Sequence, residues 1–121
     1  MWRVGIWTAL AVALIQASAT AQESGKLKDK VTASLKSVAG GSCPESLMNA
    51  LLLDQCEQQL DRMQDAISKL GPIKEARYRG IERLPTGVDA EVYRVVFERG
   101  SMTWMAATGP NGKLSVLWSP G

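Results

Sequence analysis

Two hydrophobic periods divide the chain. Beyond an unbroken apolar run at its start, apolar residues recur every three or four positions as far as Leu70, and from Ile73 onward they recur at every second position. The first period buries one face of a helix and the second buries one face of a strand. The pattern therefore predicts an α+β domain, with N-terminal helices followed by a sheet. Within Ser24 to Ala39, Leu27, Val31, Leu35 and Val38 fall at spacings of four, four and three among Lys26, Lys28, Lys30 and Lys36. This is a basic amphipathic helix, closed by Gly40-Gly41. Its apolar face lacks the Trp or Phe that anchors interfacial helices, so packing on the domain or fraying at the terminus is expected.

Between Ser42 and Leu70 the apolar seam Leu53, Cys56, Leu60, Met63, Ile67 and Leu70 does not extend backwards through Leu47, Met48 and Leu51. The register changes near Leu52. Capping-box spacings occur at Ser42 and Glu45, with Pro44 between them, and at Asp54 and Glu57. Two starts predict two helices: a short one over roughly 45 to 51, a return through Leu52 to Asp54, and a longer one from Gln55 to Leu70, stopped by Gly71-Pro72. The cysteines test this break. Thirteen residues of continuous helix would hold Cys43 and Cys56 about 20 Å apart, whereas a disulfide needs Cα atoms within about 7 Å.

Lys74 to Arg83 reads as a first strand; after the loop Leu84-Pro85-Thr86-Gly87 and Val88, a second strand carries Tyr93, Val95 and Phe97 on one face and Val92, Arg94 and Val96 on the other. Arg99-Gly100 turns the chain into Ser101 to Ala107, and Gly109-Pro110-Asn111-Gly112 turns it again before Leu114, Val116 and Trp118. Short turns require antiparallel neighbours. The expected sheet is a four-stranded antiparallel meander packed on the helix of about residues 55–70.

The start of the chain changes the picture of where this domain works. Met1-Trp2-Arg3, the apolar run Val4 to Ile15 and the small-residue stretch to Ala21 form the three regions of an export signal. Twelve helical residues span about 18 Å, too little for a hydrocarbon core of about 30 Å. Ala19-Thr20-Ala21 fits the cleavage rule and leaves Gln22 first, with Ala17-Ser18-Ala19 as a second cut. The expected organisation is a signal peptide over 1–21, an amphipathic helix and Gly-Gly linker over 22–41, and the α+β domain over 42–121, working in the periplasm or as a secreted protein. No stable membrane span is expected after cleavage. A domain this small buries only about 60–68% of its unfolded surface, and an oxidising compartment favours a Cys43–Cys56 disulfide. Two buried thiols are the alternative.

Charge and chemistry narrow the function by exclusion. Removing Arg3 with the signal leaves thirteen basic against twelve acidic side chains, a net charge of +1, which gives no electrostatic footprint for nucleic acid. Histidine is absent, so Ser-His and Cys-His hydrolysis are excluded along with the commonest metal ligand. Asp54, Glu57, Asp61 and Asp65 form an acidic ridge that runs along the helix without converging, as a solvated face does. No metal site, cofactor or catalytic residue is assigned. Arg77, Arg79 and Arg83 alternate on one strand face with Ile81 and suit a carboxylate or an acidic surface, or equally an exposed sheet face. Tyr93, Trp104 and Trp118, with Tyr78 and Phe97, suit the walls of a pocket or a filled core. Arg77, Arg79, Tyr93, Trp104 and Trp118 are thus the candidate pocket or partner surface.

Leu70-Gly71-Pro72, the strand Asp89 to Phe97, Trp104, and Gly109-Pro110-Asn111-Gly112-Lys113-Leu114 together resemble a small exported bacterial domain of the nuclear-transport-factor-2-like, cystatin-like superfamily. Such domains stand alone after signal peptides and as tails on secreted serine hydrolases of beta-lactamase type. The resemblance covers about half of the chain after residue 21 and implies a helix cradled by a curved antiparallel sheet. It carries over no catalytic residue: the enzymes of that superfamily use pocket Asp/His or Tyr/Asp sets, and the cystatin Gln-x-Val-x-Gly motif does not occur. The expected function is an exported non-catalytic binding or accessory domain, contacting another exported protein or a small apolar ligand. The alternative is a small lyase or isomerase with Asp89, Glu91 or Tyr93 in a pocket.

Overall fold

The computed structural model describes residues 25–121; the expected export signal and both cleavage positions lie outside the described residues. Two helices, α1 (Lys28–Ala39) and α2 (Ala50–Leu70), precede four strands, β1 (Ile73–Arg83), β2 (Asp89–Phe97), β3 (Gly100–Thr108) and β4 (Leu114–Trp118). The strands form one antiparallel sheet in the order β1-β2-β3-β4, the meander that the short turns dictate. Both helices lie against it, α1 over β1 and α2 over β4, and they pack on each other. Val31, Leu35 and Val38 of α1 are at most 1% exposed and share one core with Ile67, Tyr93, Val95, Trp104 and Leu114. Among the described residues no helix is long and apolar enough to cross a membrane.

The break before the long helix falls five residues earlier than the capping spacing predicts. Residues 45–47 make only a turn, and α2 starts at Ala50, not Gln55. Asn49 is its N-cap: its Oδ1 accepts a hydrogen bond from Leu52 N at 2.9 Å, satisfying one of the orphan donors of the first turn. Asp54 lies inside the helix instead, where its carboxylate accepts from Gln58 Nε2. The off-seam residues Leu47 and Met48 are outside the helix altogether. Met48 is buried and bridges Leu114 of β4, so the register change reports a helix start, not a second helix. The reversal through residues 44–49 still brings Cys43 to Cys56, with Cα atoms 6.1 Å apart in a disulfide.

Bulges reset the faces of the sheet. Tyr78 stands opposite Tyr93 but Gly80 stands opposite Val92, leaving Arg79 as an extra residue, and an extra residue reverses which side every later side chain takes. Arg77 pairs with Arg94, whereas Ile81 and Arg83, beyond the bulge, pair with Glu91 and Asp89. The expected single face carrying Arg77, Arg79, Arg83 and Ile81 is therefore split. An irregularity in the β3–β4 pairing leaves Ser115 extra in β4. Leu114 enters the main core, while Val116 and Trp118 stand opposite Ala107 and Met105 on the face away from the helices. There Ala90, Met105 and Ala107 form a second small buried cluster with Leu84, Val92 and Val116 around it.

Candidate functional site

The seam between α2 and β4 is not closed by side chains. It holds a cavity of about 280 Å³, near the lower end of the range that takes small organic groups. Leu35 and Val38 of α1 form its inner end, Leu52, Gln55, Cys56, Gln59 and Met63 of α2 one wall, and Trp104 with Ser115 to Trp118 the other. No ionisable side chain lines it. Cys56 in the wall is tied through the disulfide to Cys43, so the covalent link anchors the wall itself. Trp104 is buried, and its indole Nε1 has no hydrogen-bond partner among the described residues. Such a donor costs about 1–3 kcal/mol relative to a satisfied one.

Of the five residues singled out from the sequence, only Trp104 and Trp118 border this groove. Trp118, 55% exposed and on the face away from the helices, borders it only at the outer edge of β4. Tyr93 is fully buried in the core beneath α1, its ring 5.7 Å from that of Tyr78. Arg77 lies exposed, held by Glu75 across a short ion pair that keeps the Glu75 carboxyl below its ordinary range. Its cross-strand neighbour Arg94 donates to Thr103 Oγ1 at 3.0 Å. Arg79 sits exposed in the bulge. The arginines do not converge on a common point. The helix side of the groove was not legible from the pattern: Gln55 and Gln59 stand four apart beside the apolar seam, but Gln58 and Ser68 are uncharged and exposed on the same helix without lining the groove.

The residues of the lyase or isomerase reading are engaged elsewhere. Glu91 Oε1 accepts from Lys26 N at 2.9 Å, Leu27 N at 3.0 Å and Tyr93 Oη at 2.6 Å. Leu27 occupies the N-cap of α1 and offers no side-chain cap of its own. A carboxylate from β2 thus does the capping, placed also where the helix dipole favours negative charge. Tyr93 Oη in turn accepts from Leu27 N at 3.0 Å. Burial, together with the hydrogen bond to Glu91, pushes the Tyr93 phenol well above its ordinary pKa. Asp89 is exposed and paired with Arg83 at 3.2 Å. None of the three lines the groove.

No protein-family model, no curated protein and no solved structure matches the chain.

Proposed function

We propose that this chain is an exported, non-catalytic accessory domain that holds an apolar group in the groove between α2 and β4. The observation that carries this reading is the uncharged lining of that groove, set against the commitment of Glu91 and Tyr93 to the start of α1. A lyase or isomerase needs an acid or base beside its substrate, and the carboxylates are placed away from the cavity. The disulfide indicates an oxidising, non-cytoplasmic compartment; with the N-terminal signal pattern it supports a periplasmic or secreted protein that starts at Gln22. The order of helices and meander supports reading the domain as a cystatin-like one, with the groove on the helix-covered side of its sheet.

The test uses the chain from Gln22 to Gly121 with its disulfide formed. Its only tryptophans are Trp104, buried in the groove wall, and Trp118, at the outer edge of β4. A series of n-alkyl alcohols of increasing length should shift tryptophan emission saturably and raise the melting temperature. Gln59→Trp, which fills the groove from an exposed position on α2, should remove the thermal shift. Alcohols that leave the melting temperature unchanged at every chain length would refute the apolar site.

A further inference from the structure

The two edges of the sheet are built differently, and the difference identifies what the groove takes. The edge strand β1 carries Lys74, Glu75, Arg77, Arg79, Glu82 and Arg83 and two irregularities, the devices that keep an edge from pairing with another chain. The other edge strand, β4, reads Leu114-Ser115-Val116-Leu117-Trp118, with no charge and no proline. One strand-like segment of the chain already adds to it: Asn49 N donates to Leu114 O at 2.9 Å and Leu114 N to Leu47 O at 2.7 Å. Among the described residues nothing pairs with this edge beyond Leu114. The open part of the edge is the same stretch, Ser115 to Trp118, that walls the cavity.

We propose that the occupant of the groove is an extended apolar segment of another protein, which adds as a fifth strand along β4 and places an apolar side chain in the cavity. This rests on the groove reading above and names its ligand class. A strand and a facing helix are the two walls between which extended peptides are taken up, main-chain hydrogen bonds supplying affinity and a pocket for alternate side chains supplying selectivity. The cavity, at about 280 Å³, suits side chains more than a cofactor. Gln55 and Gln59 on the helix wall offer uncharged donors and acceptors, which match peptide groups and give a charged head group no counter-ion. A single chain enters between α2 and β4; the β4 of a second copy would bring its own α2 against the same edge.

The experiment selects linear peptides from a displayed library against the oxidised Gln22–Gly121 protein. Selected peptides should share alternating apolar positions. N-methylation of the peptide backbone at every second residue should weaken binding roughly tenfold, the loss of a main-chain hydrogen bond, while methylation at the intervening residues leaves it unchanged. Amides in Ser115 to Trp118 should gain protection from hydrogen exchange, and Gln59→Trp, exposed and away from the core, should abolish binding. Selection of no peptide, or peptides indifferent to the position of methylation, would overturn the proposal. So would self-association of the protein that protects β4. Saturable alkyl-alcohol binding without peptide binding refutes the strand and leaves the apolar site standing; failure of both removes the site as well.

Discussion

Glu91 shows how a residue that reads as chemistry becomes structure once its neighbours are known. Its carboxylate caps a helix that starts over sixty positions earlier in the chain, and the fit is close. A Cβ built at Gly25 would lie 2.1 Å from Tyr93 Oη and 2.5 Å from Tyr78 Cδ1, distances no packed side chain tolerates. Gly25→Ala should therefore push residues 25–27 off the sheet and cost roughly 1–3 kcal/mol, read by urea denaturation. A loss no larger than that of an exposed substitution would show that the segment is not docked. Tyr93 makes a pH prediction. Its folded-state pKa is raised, so the neutral phenol is favoured by folding, and that contribution is complete below the unfolded value of about 10 and is lost as pH rises beyond it. The melting temperature of the wild type should fall more steeply above about pH 10 than that of Tyr93→Phe, although the variant is less stable at neutral pH. Parallel slopes would contradict this.

At the scale of elements, the start of α2 and the disulfide are one device. Cys43 lies before the reversal and Cys56 in the second turn of the helix, so the bridge holds the loop that carries Met48 to β4 and Cys56 to the groove wall. Closing so short a loop is worth about 3 kcal/mol in the chain-entropy account. Replacing both cysteines with serine should cost 2–5 kcal/mol, the range typical of small secreted domains. Reductant should lower the melting temperature of the wild type and leave the double variant unaffected, and equal sensitivity in the two proteins would exclude the bridge as a stabiliser. The helix was legible from its seam through Leu60, Met63 and Ile67. Its first turn was not, because Asn49 and Asp54 are both good capping residues and only the pairing of Met48 with Leu114 selects between them.

Over the whole molecule, α1 supplies the core with side chains that the sheet and α2 cannot replace. Val31, Leu35 and Val38 are buried almost completely, and at about 1.5–3 kcal/mol each they rival the net stability of about 5–15 kcal/mol expected of a domain. A fragment of residues 42–121 should accordingly show no cooperative thermal transition and little near-ultraviolet dichroism. A sharp transition in that fragment would make α1 an accessory. Deleting α1 would also open the groove from within, since Leu35 and Val38 form its inner end.

The order of helices before strands, the antiparallel meander and, once the thiols oxidise, the pairing of the two cysteines follow from the sequence by itself; the expected short helix over 45–51 does not form. Hydrophobic period, caps and tight turns act over a few residues, and two cysteines leave one pairing. The tertiary structure alone decided the faces of β1 and β4, the start of α2, the role of Glu91 and the groove. A bulge at Arg79 or Ser115 exists only with respect to a partner strand, and one such residue moves Trp118 to the face opposite Trp104. Glu91 finds Leu27, and Met48 finds Leu114, across separations no local pattern records. The groove is what remains between a helix and an edge strand after every such contact has been made.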